Sequence, residues 1–176
     1  DGAQTNHLLR RADLALYHAK AQGRGMACFF EPDIEASFHS RRAMEDALRN
    51  AQDRGELVLY YQPIVNMASG RIVSAEALLR WNHPVDGMIP PATFIPIAEA
   101  TGQIVPIGEW VLREACRTAM QWPKDVNVSV NLSPVQFKCP RLSAGIVSAL
   151  AETHLPASRL ELEITESVLM NETEAM

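Results

Sequence analysis

From Leu57 onward, short runs with period-two apolar spacing alternate with longer runs of helical spacing, and this rhythm constrains the fold most. Val126, Val128, Val130 and Leu132 alternate with Asn127, Ser129, Asn131 and Ser133. Leu160, Leu162 and Ile164 alternate with Glu161, Glu163 and Thr165. Successive strand side chains point to opposite faces, so each run has one apolar face and one polar face. Two earlier strands are predicted at Leu57–Val65 and Ile72–Trp81, joined by a turn at Met67–Arg71 that holds Gly70. A Pro- and Gly-rich loop follows at Asn82–Pro91, and helices are expected at Thr93–Ala100, Ile107–Trp122 and Leu142–Thr153. Strands alternating with helices predict a mostly parallel α/β sheet. Its polar face has two explanations: a solvated sheet surface, or a barrel interior that turns polar toward its C-terminal mouth.

The first 54 residues follow another pattern. Leu8–Gln22 has helical spacing and stops at Gly23-Arg24-Gly25, Met26–Phe30 reads as a short strand, and Glu31-Pro32-Asp33 marks a boundary. A charged helix from about Ser37 to Arg54 leads to Gly55. With 47% hydrophobic residues among 176, the chain can bury a core, which argues against disorder. Its three cysteines, Cys28, Cys116 and Cys139, have no CxxC spacing and read as reduced thiols. No apolar run is long enough to span a bilayer and no signal-peptide pattern opens the chain. A cytoplasmic, soluble segment is therefore expected, with any membrane tether lying in N-terminal segments outside it.

Charge narrows the partners. Residues 51–176 hold fourteen acidic and nine basic side chains within a net charge of −5, so the basic patch that a nucleic-acid polymer needs is missing. Carboxylates are rarely buried unless paired or bound to metal, yet Glu76 interrupts the apolar run Ile72–Trp81. Asn131 and Glu163 place further oxygen donors in strand-like runs. Three strands that each deliver a hard oxygen suit Mg²⁺ or Mn²⁺ and point to metal-assisted hydrolysis. Other roles remain open on pattern alone: an ion pair of Glu76 or Glu163 with Arg80, a cap on the Pro134 turn by Asn131, and strand-end bonding by Gln62. Glu166 reads as a helix-start carboxylate, and His83 as a loop residue before Pro84.

Five ordered blocks carry a resemblance. They are Tyr61-Gln62-Pro63-Ile64-Val65, Glu76-Ala77-Leu78-Leu79-Arg80-Trp81, Phe94-Ile95-Pro96-Ile97-Ala98-Glu99, Asn131-Leu132-Ser133-Pro134-Val135-Gln136 and Glu161-Leu162-Glu163-Ile164-Thr165-Glu166-Ser167. Together they resemble the EAL family of bacterial phosphodiesterases, which hydrolyse cyclic di-GMP to linear pGpG. Residues 10–25 also resemble the closing helix of a GGDEF (diguanylate cyclase) domain. The resemblance implies three regions: a GGDEF remnant at 1–30, a linker and connecting helix at 31–54, and the N-terminal part of an EAL domain at 55–176. It implies a modified (β/α)₈ TIM-like barrel with an antiparallel first strand, here about its first half.

The same resemblance implies that Glu76, Asn131 and Glu163 bind metal, with two Mg²⁺ or Mn²⁺ ions in a complete domain. Gln62 and Arg80 would contact cyclic di-GMP, and Glu166 would anchor a loop that supports the metals and a homodimer. The family's general base and paired aspartates fall beyond Met176, so no catalytic base is expected within these residues. Residues 1–176 are accordingly expected to be inactive alone. The competing expectation is a non-catalytic cyclic di-GMP receptor or interaction module.

Overall fold

A computed structural model describes residues 5–21 and 25–164, and the chain divides into two compact units, Asp1–Ala47 and Leu48–Met176. In the first, helix α1 (Thr5–Ala21) buries Leu14, Ala15 and Ala19 along one stripe. The strand expected at Met26–Phe30 is not formed: these residues have no ladder partner among the described residues, and Phe29 is 90% exposed. A single extended segment cannot satisfy its backbone groups as a strand. Arg11 instead lies 4.8 Å over the Phe30 ring.

Helix α2 (Pro32–Ala51) begins where a break was expected. Proline suits the first helical position because its missing N–H would have no helical partner there. Asp33 and Glu35 add favourable charge to the same turn.

The second unit is built on a mixed five-stranded sheet with the order β1-β2-β4-β5 and β3 paired to β2. Strands β1 (Leu57–Val65) and β2 (Ile72–His83) run antiparallel, joined by a turn in which Asn66 Oδ1 accepts the N–H groups of Ala68 and Ser69. β4 (Asn127–Leu132) runs parallel to β2, and β5 (Leu160–Ile164) runs parallel to β4. The loop expected at Asn82–Pro91 contains a short strand, β3 (Gly87–Ile89), which folds back on Trp81–His83. Gly87 takes a left-handed φ of 72°, and the Asp86 N–H donates to His83 Nδ1 at 3.1 Å, so the Pro- and Gly-rich stretch closes a hairpin.

Helices α3 (Pro91–Thr101) and α4 (Ile104–Ala119) connect β3 to β4, while α5 (Pro134–Phe137), α6 (Leu142–Thr153) and a 3₁₀ turn at Ala157–Arg159 lead to β5. α4 starts one turn before its expected position because Pro106, in the first turn, costs no helical hydrogen bond. Its buried stripe, Ile104, Ile107, Val111, Leu112, Ala115, Cys116 and Ala119, follows the three-and-four spacing of an amphipathic helix. Val128, Val130 and Leu132 are buried on the apolar face of β4, and α4 packs against that strand. Each such side chain contributes about 1.5–3 kcal/mol on burial. Trp81 and Phe94 meet edge to face at 5.6 Å, and the Trp81 indole donates to Glu56 at 3.0 Å. Among the described residues no helix is long and apolar enough to cross a membrane.

Candidate metal and phosphate site

The sheet register gathers the predicted polar side chains. Gln62 lies opposite Glu76, Glu76 opposite Ser129, and Ser129 opposite Glu161, forming one row across β1, β2, β4 and β5. Two residues further along, Asn131 lies opposite Glu163. Period-two parity puts all of these side chains on one face, together with Arg80 four residues beyond Glu76. Because β2, β4 and β5 run parallel, Arg80, Asn131 and Glu163 approach the same C-terminal end of the sheet.

The contacts separate the roles left open by pattern. Asn131 Nδ2 donates to Glu76 Oε1 at 2.6 Å, joining two strands. Asn131 does not cap the following turn. Ser133 does so: its Oγ accepts the Val135 N–H at 3.1 Å, and Gln136 Oε1 accepts the Ser133 N–H at 3.1 Å. Among the described residues Arg80 forms no ion pair with Glu76 or Glu163. Its Nη1 donates to the Leu79 carbonyl at 2.9 Å, and its guanidinium lies 5.7 Å from the Tyr60 ring centre. Gln62 is exposed in the register position beside Glu76. Glu166 lies outside the described residues.

The donor set suits a hard cation. Glu76 and Glu163 supply carboxylate oxygens, and the Asn131 amide, whose nitrogen is committed to Glu76, has its carbonyl oxygen left as a donor. Among the described residues no group of three or more His, Cys, Asp or Glu side chains gathers as a metal cluster. Ser129 sits in the middle of the face, fully buried, and its hydroxyl has no partner among the described residues.

Two features of this face were not anticipated. Asn127 Nδ2 donates to Glu161 Oε1 at 2.7 Å, a second amide–carboxylate pair whose parity was already visible in the two strand runs. Ser133 Oγ also donates to Glu99 Oε1 at 2.7 Å, which ties α3 to the end of β4. The Ser-x-x-Gln spacing of Ser133 and Gln136 signals the capping box, but Glu99 is 34 residues away in sequence and carries no such signal.

The family model described as EAL domain matches residues 45–176. The chain belongs to the EAL family. Its relatives include MucR of Pseudomonas aeruginosa, named a bifunctional diguanylate cyclase/cyclic di-GMP phosphodiesterase, which is 45% identical over 99% of this chain. PdeR of Escherichia coli, named a cyclic di-GMP phosphodiesterase, is 35% identical over 98% of it. The EAL chain spans only 26% of the length of each of these relatives.

Among solved structures, a cyclic di-GMP complex of the PaMucR phosphodiesterase is 46% identical with a TM-score of 0.72, covering 76% of this chain and 56% of that one. The EAL enzyme Bd1971 in its cGMP-bound form is 28% identical with a TM-score of 0.71, covering 99% and 46% respectively. The α/β fold is thus the TIM-barrel-like EAL fold, of which these residues form a part. Its mixed sheet, with an antiparallel first strand, is the architecture the five blocks implied.

Proposed function

We propose that this chain carries part of a cyclic di-GMP phosphodiesterase site, in which Glu76, Asn131 and Glu163 hold divalent cations and Gln62 and Arg80 contact the substrate. The observation that carries the proposal is the Asn131–Glu76 bond at 2.6 Å, with Glu163 opposite Asn131 in the next strand. The names of MucR and PdeR, and the cyclic di-GMP in the PaMucR complex, support the substrate class.

Mg²⁺ or Mn²⁺ bound there would act as a Lewis acid and generate a nucleophilic water near neutral pH. The protein's own part is positioning. Arg80 keeps its guanidinium on the site face, where its remaining N–H groups can bind a phosphodiester oxygen in a planar, paired fashion. Gln62 can bond a ligand from the adjoining strand. The proposal also includes a GGDEF remnant at residues 1–30, supported by the MucR name and by a match that runs through this segment. Homodimerisation through a Glu166-anchored loop completes it and rests on the family resemblance.

The test is hydrolysis of cyclic di-GMP to pGpG by the intact protein with Mn²⁺ or Mg²⁺. Metal-dependent turnover that is lost in Glu76→Gln is expected. Tight nucleotide binding without turnover would replace the phosphodiesterase by a receptor. The 176 residues as an isolated polypeptide are expected to show no turnover, and robust hydrolysis by them would contradict that part.

A further inference from the structure

The junction between β4 and α5 is clamped at three points, and one of them reaches across the fold to α3. The Ser133 hydroxyl has a single proton, and it goes to Glu99 Oε1 at 2.7 Å. Its oxygen meanwhile accepts the Val135 N–H. Gln136, buried, holds the Ser133 backbone N–H, and its side chain occupies the space over Gly108 of α4, where a Cβ would come within 1.8 Å of Gln136 Nε2. Asn131 stands two residues before Ser133, with only buried Leu132 between them.

We propose that Glu99 is a positioning residue: through the Ser133 hydroxyl it fixes the exit of β4, and so the angle at which Asn131 meets Glu76. Glu99 and Ser133 both line a cavity of about 270 Å³ that also reaches Arg80 and Asn131. Space beside the clamp lets the junction shift once the Glu99–Ser133 bond is lost. Ser133 would then keep only its two bonds within the turn, so the turn could rotate as a unit and carry the amide of Asn131 off Glu76. Outer groups that orient metal ligands typically affect affinity about 10–100-fold. The affinity arm of this inference rests on the proposed metal role, whereas the geometric arm does not.

Three variants of the intact protein test it. Glu99→Gln keeps an acceptor for the Ser133 hydroxyl, Glu99→Ala removes it, and Glu99→Leu removes it while filling the space. Crystal structures should show the Asn131–Glu76 bond kept in Glu99→Gln and broken in Glu99→Ala and Glu99→Leu. Titration calorimetry with Mn²⁺ should show a Kd about 10–100-fold weaker for the Ala and Leu variants and within about threefold of wild type for Gln. If Glu99→Ala does not fold, Glu99→Leu decides. An Asn131–Glu76 bond that persists without the Glu99 carboxylate overturns the inference, whatever the metal data show. Mn²⁺ binding that is indifferent to Glu76→Gln overturns the metal reading instead, and the crystal structures still judge the positioning role.

Discussion

At the scale of single residues, two amide–carboxylate pairs lie on the site face, Asn131 with Glu76 and Asn127 with Glu161, and pairing sets how each substitution acts. Asn131→Asp would remove the donor to Glu76 and set a second carboxylate against it. The metal-free protein should lose about 1–2 kcal/mol in urea unfolding. Mn²⁺ should then raise its melting midpoint more than it raises that of the wild type. Glu76→Gln keeps an acceptor for Asn131 and removes the charge. Its metal-free stability should stay within about 0.5 kcal/mol of wild type, while the stabilisation by Mn²⁺ disappears. Equal Mn²⁺ shifts in both variants and the wild type would argue against these ligands. The parity of Glu76, Asn131 and Glu163 was legible from strand period alone. Which atom bonds which was not, because sequence spacing carries no register between strands.

At the scale of elements, the largest surprise is Arg159. It is 7% exposed and donates to the carbonyls of Ala119, Pro123 and Val126 at 2.6–3.2 Å, joining the last turn of α4, the loop before β4 and the entry to β5. A buried guanidinium normally needs a carboxylate, but here three carbonyls compensate it, including that of Ala119 at the negative end of α4. Arg159→Met should destabilise the fold by about 2–4 kcal/mol in chemical unfolding, because it removes all four hydrogen bonds by which the guanidinium ties α4 and the loop before β4 to the entry of β5. Arg159→Lys, which lacks the planar fork, should recover only part of that. A loss below about 0.5 kcal/mol for the Met variant would show the bonds to be dispensable. Gly108→Ala should cost about 1–3 kcal/mol by displacing Gln136 from its cap. Neither position carries a warning in the sequence. An arginine before a strand reads as solvent-exposed, and a glycine in a helix reads as a weak point until its neighbour is known.

For the whole molecule, the buried Cys116 thiol and the half-buried Tyr61 phenol weaken the fold at alkaline pH. Burial pushes the Cys116 thiol and the Tyr61 phenol above their ordinary values of 9.0 and 10.0. Both are neutral when protonated, so the folded chain keeps these protons to higher pH than the unfolded chain does. The contribution of these two groups is fully present well below pH 9 and is lost as pH rises through the ordinary thiol and phenol values, since the unfolded state then binds fewer protons than the folded one. Urea midpoints measured between about pH 7 and about pH 10.5 should therefore decline. Cys116→Ala should flatten the first part of that decline, and an unchanged slope would remove the thiol from the account.

Chain-level order was largely legible: β1 and α6 fall where period and turn residues put them, as do β2, β4 and β5 to within two residues. The amino-acid sequence by itself determined the alternation of strands and helices, the polar face and the five blocks that identify the family. These follow from local spacing, which strand and helix geometry convert directly into faces. Only the tertiary structure decided that Asn131 bonds Glu76 rather than capping a turn, that Glu99 holds Ser133, and that Arg159 is buried among carbonyls. Those partners lie 33 to 55 residues apart, and hydrogen-bond choice at that separation is set by packing and register, which no local pattern encodes.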